Sequence, residues 1–308
     1  MITLMYSNYR PSPAHIARLE TMAGSGRVHV ADSEAAALAL AGETEIVLGQ
    51  RYLRQILPVA KRLRWVQTTA AGIDQLPWEA LRERGILLTR NTLNSQAIAH
   101  HTLAMIWALL RRLPETMDAQ RRHEWSAPPA MLPLPRTALV LGLGAIGLGI
   151  ARLLRGVGLY VRGTSLSGTE AQRLGCDQFV SVDTWRDFLG DTDILVLAMP
   201  YSRSTSRSVG QRELAALPNH AVLVNVARAG VLDLDALIST LNAGGLGGAA
   251  LDVMDPQPAP SDPVWDAPGL LLTPKVAAYH PDMQDDFEAF AEAQVKRFLA
   301  GQPLHCLA

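Results

Sequence analysis

The chain has 308 residues, a length that predicts two domains, and 48% of them are hydrophobic, which is enough for sizeable cores. Its formal net charge of −1 excludes the basic surface that nucleic-acid binding requires. Residues 1–8 lack a basic start followed by an apolar segment, and the uncharged run 138–151 is too short for a bilayer, so we expect a cytoplasmic protein without membrane contact.

The first 90 residues alternate short apolar runs with helical patterns, which is typical of an open parallel sheet. We predict strands at 2–5, 28–30, 46–48, 65–67 and 86–88. A long helix is predicted over 91–112, entered through Asn94 and Ser95, and a proline-rich loop over 127–135 follows it.

Residues 139–154 predict a strand, a glycine turn and a helix in direct succession. The spacing Gly142-x-Gly144-x-x-Gly147 gives each glycine a role. The first permits a tight turn, the second lets backbone approach a pyrophosphate, and the third lets the helix pack near the strand. A second strand-like run at 159–161 follows, so this context predicts a dinucleotide-binding turn.

The residues after that second strand predict which nucleotide binds. An NAD site carries an acid about 20 residues beyond the turn, on the ribose 2′-hydroxyl, whereas residues 143–169 contain neither Asp nor Glu. Ser165 and its hydroxyl-bearing neighbours, with Arg162 close by, suit a 2′-phosphate, which a carboxylate would repel. We therefore predict NADP(H) in preference to NAD(H). Arg162 could instead be a strand residue that faces away, and the sequence leaves both readings open.

Further strands are predicted at 193–198, 221–226, 247–252 and 270–273, and a terminal helix over 286–299. The dinucleotide-binding region therefore lies in the middle of the chain, and the last helix could return to the first block of strands. Cys176 and Cys306 lie far apart without metal-ligand spacing, which predicts reduced thiols and no metal site.

The motifs GLGAIG, MPYSRST, VNVARAGVLD, ALDVMDPQPAP and LLTPKVAAYH, in this order, resemble the D-isomer-specific 2-hydroxy-acid dehydrogenase family. That family includes glyoxylate/hydroxypyruvate reductases, phosphoglycerate dehydrogenase and formate dehydrogenase. The resemblance covers essentially the whole chain and implies an α/β fold of two Rossmann-like, doubly wound parallel-sheet domains with a cleft between them. It implies a discontinuous substrate domain of residues 1–98 plus 277–308, a dinucleotide-binding domain of residues 99–276, and a homodimer.

The resemblance also assigns binding residues. It implies that the backbone of Ala71 and Gly72 offers N–H groups to a substrate carboxylate. His280 is a candidate for the same pocket if its loop bends back over the active site, and otherwise a solvent-exposed loop residue. The positions that match cofactor contacts are Gly142, Gly144, Ala145, Ile146, Gly147, Ser165, Pro200, Thr205, Val226, Ala227, Arg228 and Asp252.

Arg228 matches the catalytic arginine of the family, whose permanent charge and rigid fork can hold a carboxylate and polarise the neighbouring carbonyl oxygen. The other two catalytic positions depart from the family's pattern. Gln257 stands where these enzymes usually carry a glutamate, and Lys275 stands where they carry the histidine that exchanges a proton with the substrate. No His–Glu couple remains there, and we interpret His101, which begins the long helix, as a packing residue.

The absence of the His–Glu couple leaves three hypotheses for the function of the chain. In the first, which we favour, Lys275 donates the proton while a small 2-keto acid of the glyoxylate or hydroxypyruvate type is reduced to the D-2-hydroxy acid. Arg228 and partial burial would make that proton easier to release. In the second, residues 257–260 resemble formate dehydrogenase, which passes a hydride to NAD without proton transfer. In the third, the chain has lost catalysis and serves as a cofactor-responsive binding protein.

Overall fold

The computed structural model describes residues 1–7, 9–128 and 131–307, and the chain divides into two compact units. Unit 1 comprises Met1–Asn94 with His280–Ala308, and unit 2 comprises Ser95–Tyr279. The domain boundaries expected from the sequence lie a few residues away from these. Of the helices in the described ranges, none is long and apolar enough to cross a membrane.

Unit 1 is a five-stranded parallel sheet in the order β2-β1-β3-β4-β5. Its strands are β1 (Ile2–Met5), β2 (Val28–Val30), β3 (Ile46–Gly49), β4 (Trp65–Gln67) and β5 (Leu87–Thr89). Its helices are α1 (Pro13–Ala23), α2 (Glu34–Ala41), α3 (Leu53–Ile56), α4 (Trp78–Glu83) and the last helix of the chain, α11 (Met283–Leu299).

Both faces of this sheet carry apolar side chains, as expected for parallel strands covered by helices. Leu4 and Trp65 lie in one cluster with Phe287, Ala291 and Val295 of α11. The opposite face packs through a second cluster, which includes residues of α2 and α3. The terminal helix therefore returns to the first block of strands and completes its core.

Unit 2 is a seven-stranded parallel sheet in the order β12-β11-β10-β9-β6-β7-β8. Its strands are β6 (Thr137–Leu141), β7 (Tyr160–Thr164), β8 (Gln178–Val180), β9 (Ile194–Leu197), β10 (Val222–Asn225), β11 (Gly248–Leu251) and β12 (Leu270–Leu272). Its helices are α5 (Ser95–Leu110), α6 (Leu113–Arg121), α7 (Ala145–Gly156), α8 (Glu170–Leu174), α9 (Gln211–Ala216) and α10 (Leu234–Asn242).

The strand order of unit 2 reverses between β6 and β9, because the chain runs outward from β6 through β7 to β8 and then returns to the other side of β6. Ligands of open α/β sheets bind beyond the carboxyl ends of the strands at such a reversal. The predicted fold class, two doubly wound parallel α/β sheets, is confirmed.

Candidate active site

The glycine turn connects β6 to α7, and its three glycines meet different surroundings. Gly142 has φ 102°, and a Cβ there would lie 2.5 Å from the Cα of Met199, which follows β9. At Gly147 a Cβ would lie 1.8 Å from the carbonyl oxygen of Gly142. At Gly144 a Cβ would meet nothing within 4 Å. Two of the glycines are thus required by the protein's own packing, whereas Gly144 borders open space, which fits a backbone that approaches a pyrophosphate.

The segment after β7 forms a hydroxyl-rich loop, residues 165–168, which we call the serine loop. Ser165 is half-buried, and its Oγ lies 3.4 Å from the Oγ of Ser167. Ser167 in turn donates to the side-chain oxygen of Gln172 at 2.9 Å. The hydroxyl-bearing residues named in the sequence analysis thus lie together in the loop at the carboxyl end of β7, and their role toward a ribose stays a prediction.

Arg162 does not belong to that loop. Its guanidinium forms a bidentate pair with Asp191, at 2.9 and 2.8 Å, and its Nε donates to Gln178 at 3.0 Å. It also lies over the ring of Phe188, 4.9 Å from the centroid. Of the two readings left open by the sequence, the structure favours the strand residue that faces away. The idea that Arg162 helps to bind a 2′-phosphate is wrong, because each of its three nitrogens already donates to Gln178 or Asp191 and its charge is paired with Asp191.

Arg228 follows the carboxyl end of β10 on a backbone held by Asn225. The Asn225 side chain donates to the Arg228 carbonyl at 3.0 Å and accepts from the Ala227 N–H at 2.9 Å. The guanidinium is half-buried, and its Nη1 donates to the Ala227 carbonyl at 2.8 Å. Val226 and Ala227 are themselves buried. These hydrogen bonds hold the Arg228 backbone where the chain leaves β10, beside the turn that follows β9.

Asp252, one residue past β11, is buried and organises the segment that follows β12. Its carboxylate accepts the Thr273 hydroxyl at 2.6 Å and the N–H groups of Val276 and Ala277 at 3.0 and 3.2 Å. The His101 Nε2 lies 3.2 Å from the Thr273 hydroxyl oxygen. The sequence interpretation of His101 as simple packing missed this polar connection, which only the tertiary fold reveals.

Lys275 lies within that segment, between Thr273, whose side-chain hydroxyl donates to Asp252, and Val276 and Ala277, whose backbone N–H groups donate to the same carboxylate. Its φ is 57°, a strained value for a residue with a Cβ, and its N–H donates to the Thr273 carbonyl at 2.9 Å. The side chain is exposed, so the expected partial burial of Lys275 is wrong.

Gln257 lies in the loop after β11 and is also exposed. Within the described ranges its side chain makes no hydrogen bond, either to Lys275 or to another residue. The structure thus does not join Gln257 and Lys275 into a couple of the His–Glu kind.

Pro200 and Thr205 belong to one compact turn after β9. The Thr205 hydroxyl donates to the Pro200 carbonyl at 2.8 Å, and the Ser202 N–H donates to the Thr205 hydroxyl at 2.7 Å. With Arg228, Asp252 and the glycine turn, this turn places residues from four adjacent strand ends along the carboxyl edge of the unit 2 sheet. Ala145 and Ile146 begin α7 at the same edge.

Ala71 and Gly72 lie in unit 1, in the loop after β4. The Gln50 side-chain oxygen accepts the Thr69 N–H at 2.9 Å, and the Asn91 N–H donates to the Ala70 carbonyl at 3.1 Å. In the part of the chain that the structure describes, the N–H groups of Ala71 and Gly72 have no acceptor. They are therefore available to an anion such as a carboxylate, and the anchoring roles of Gln50 and Asn91 were not predicted.

His280 begins the second segment of unit 1, and its Nε2 lies 3.3 Å from the side-chain oxygen of Asn94. It is half-buried rather than fully exposed. Its role toward a substrate stays a prediction.

Comparisons with known proteins identify relatives of this chain. Residues 103–277 match the family model described as "D-isomer specific 2-hydroxyacid dehydrogenase, NAD binding domain". The chain is 30% identical over 243 residues to a glyoxylate reductase of Thermococcus gammatolerans, covering 75% of this chain and 72% of that protein. It is 25% identical over 259 residues to a D-3-phosphoglycerate dehydrogenase of Methanocaldococcus jannaschii, covering 82% of this chain but only 49% of that protein. The chain thus spans about half the length of that relative.

A solved structure of a D-isomer specific 2-hydroxyacid dehydrogenase family protein from Aeromonas salmonicida superposes with a TM-score of 0.80. It is 29% identical, and the match covers 100% of this chain and 98% of that one. The resemblance stated from the sequence motifs is confirmed.

Proposed function

Because this chain belongs to the D-isomer specific 2-hydroxyacid dehydrogenase family, we propose that it reduces a small 2-keto acid to the D-2-hydroxy acid with a nicotinamide dinucleotide. The substrate is of the glyoxylate or hydroxypyruvate type, and NADP(H) is preferred over NAD(H). The observation that carries the proposal is the set of residues along the carboxyl edge of the unit 2 sheet. There the glycine turn, Arg228, Asp252 and the Lys275 segment follow neighbouring strands.

The residues present fit the dinucleotide. Gly144 leaves the open space that a pyrophosphate needs, and α7 begins directly after it. The serine loop would hold the ribose, and the turn of Pro200 and Thr205 would lie beside the nicotinamide half. When bound, the nicotinamide supplies the hydride that reduces the keto carbon.

The remaining steps belong to the protein's own side chains. The guanidinium of Arg228 is fixed through Asn225 and Ala227, so it can polarise the keto oxygen without first reorganising. The N–H groups of Ala71 and Gly72 would donate hydrogen bonds to the substrate carboxylate. Lys275 would donate the proton to the oxygen, and Asp252 would position Lys275 by holding the backbone at Val276 and Ala277.

The surroundings of Lys275 and Gln257 also support a second candidate function. Lys275 is exposed, and Gln257 offers it no partner. Both observations favour a chain that binds the cofactor without turnover, as a cofactor-responsive binding protein. No specific feature of the described residues favours the formate dehydrogenase alternative.

We also propose a homodimer. Apolar side chains are exposed along α6 and the segment after it, with Trp125 fully exposed and Leu134 at 80%. Met117 on α6 is also exposed. An exposed apolar surface of this kind is typical of an interface. Sedimentation of the purified protein tests it, and the cytoplasmic location expected from the sequence stays a prediction.

The deciding experiment measures initial rates with glyoxylate, hydroxypyruvate, pyruvate and phenylpyruvate against NADPH and NADH, with formate plus NAD or NADP as the opposite direction. We expect turnover of at least one small keto acid, and a loss on the order of 100-fold or more in Arg228→Ala. Arg212→Ala, an exposed arginine of α9, is the matched control and should keep full activity. Tight cofactor binding without turnover of any keto acid would instead establish the second candidate.

A further inference from the structure

The serine loop has a cation beside it that neither the sequence motifs nor the family match assign. Arg173, on α8, donates from its Nε to the Gly168 carbonyl at 2.9 Å, so its guanidinium is drawn back onto the end of the loop. The guanidinium also lies over the ring of Phe179, 4.7 Å from the centroid. An aromatic face and a carbonyl acceptor together hold the planar group in one orientation.

The charge of Arg173 is not neutralised by a neighbouring carboxylate. Two other arginines near β7 and β8 are ion-paired, Arg155 with Asp177 at 3.0 Å and Arg162 with Asp191 at 2.8 Å. Among the residues that the structure describes, Arg173 has no ion pair, and it is exposed. Only one of its donor groups is used by the Gly168 carbonyl, so the two terminal nitrogens remain available to a ligand.

A Cβ at Gly168 would lie 3.2 Å from the Arg173 Nη2, so the guanidinium borders the end of the serine loop. The serine loop offers the hydroxyl of Ser165, whose oxygen lies 3.4 Å from that of Ser167, while the Ser167 hydroxyl itself donates to Gln172. Residues 143–169 carry no acid. A hydroxyl donor and a guanidinium without an ion pair on one acid-free loop form a surface for a phosphate monoester, to which an arginine donates bidentately. An NAD ribose would present only hydroxyl groups to the same surface, so the Arg173 guanidinium would have no anion to bind.

We propose that Arg173 is the specificity-determining cation that binds the adenosine 2′-phosphate of NADP(H), with Phe179 and the Gly168 carbonyl fixing its orientation. This inference rests on the proposed function, because it requires that a dinucleotide occupies the glycine turn. It replaces Arg162, whose donors are used by Asp191 and Gln178, as the source of positive charge for the cofactor.

The test compares the binding of NADPH and NADH, and of the fragments 2′,5′-ADP and 5′-AMP, which differ only in the 2′-phosphate. Calorimetry or fluorescence titration is carried out on the wild type, Arg173→Ala, Arg173→Lys and Arg212→Ala. Arg212 is an exposed arginine elsewhere on unit 2, so its substitution removes the same charge without touching the serine loop. The Tm of each variant checks the fold.

We expect Arg173→Ala to weaken NADPH and 2′,5′-ADP binding by roughly 10- to 100-fold, as for a lost charge-assisted contact, and to leave NADH and 5′-AMP nearly unchanged. Arg173→Lys should recover part of the loss, since it keeps the charge but not the fork. An equal loss for both cofactors, or no loss, overturns the assignment of Arg173 while the proposed function stands. A wild type that binds neither cofactor overturns both.

Discussion

The glycine turn allows a sharp prediction, because two of its glycines should respond oppositely to the same added methyl group. At Gly144 the φ is −75°, which any residue adopts, and a Cβ meets nothing within 4 Å. Gly144→Ala should therefore change the free energy of unfolding by no more than about 1 kcal/mol. At Gly147 the Cβ would lie 1.8 Å from a backbone oxygen, so Gly147→Ala forces the turn to shift and should cost about 1 to 3 kcal/mol or more.

Gly144→Ala should affect cofactor binding strongly, although it should affect stability little. The methyl group would occupy the space through which backbone N–H groups approach the pyrophosphate, and each charge-assisted contact is worth about 1.5 to 3 kcal/mol. Losing one of these contacts weakens NADPH binding by roughly 10- to 150-fold. Thermal unfolding and fluorescence titration of both variants provide the measurements. If Gly144→Ala binds NADPH as tightly as the wild type, the open space beside Gly144 does not hold a pyrophosphate.

Three further outcomes are expected. If the Lys275 ammonium is the proton donor, Lys275→Ala should lower the steady-state rate of keto-acid reduction by roughly 100- to 10,000-fold. Lys275→Arg should be equally slow, because arginine supplies the charge but hardly a proton. Full activity in Lys275→Arg would refute the acid role. Ser165→Asp should reverse the cofactor preference toward NADH, measured by titration of both cofactors, and an unchanged preference would place the ribose elsewhere. For Glu288, which is buried in unit 1, burial would raise the pKa, but hydrogen bonds from Ser12 and Gln284 hold it below its usual value. The carboxylate therefore stabilises the fold above the unfolded-state pKa of about 4.3, and this stabilisation is lost as the pH falls through the lower folded pKa. Glu288→Gln should lower the free energy of unfolding by about 1 to 2 kcal/mol at pH 7. Urea unfolding at a series of pH values checks this, because the difference from the wild type should disappear in acid.

Local patterns predicted most of the sheet architecture because buried parallel strands are continuous apolar runs. The long helix over 91–112 is α5, Ser95–Leu110, which begins at the predicted entry through Ser95. The strand β8, Gln178–Val180, was not predicted, because a three-residue edge strand with a polar first residue carries little periodic signal. The terminal helix begins at Met283, slightly before the predicted residue 286.

The candidate site was less predictable wherever a side chain's partner lies far away in the sequence. Arg162 is oriented by Asp191, which belongs to a different segment, and the local hydroxyl-rich pattern gave no sign of it. The segment after Lys275 is held by Asp252, which lies 23 residues earlier in the chain, and the exposure of Lys275 had no signal in the local sequence. A role for Arg173 was not predictable, because its approach to Gly168 depends on how α8 folds back on the serine loop.

The path of the chain through unit 1 has a consequence for synthesis on the ribosome. Unit 2 is one continuous segment, Ser95–Tyr279, and can fold as soon as it emerges, whereas the first strands of unit 1 await α11. Until then the apolar face of Leu4 and Trp65 lacks its cover of Phe287, Ala291 and Val295. At elongation rates of about 5 to 20 residues per second, that face stays open for roughly ten seconds or more. The nascent chain is therefore most prone to aggregation, and most in need of chaperones, during translation of unit 2.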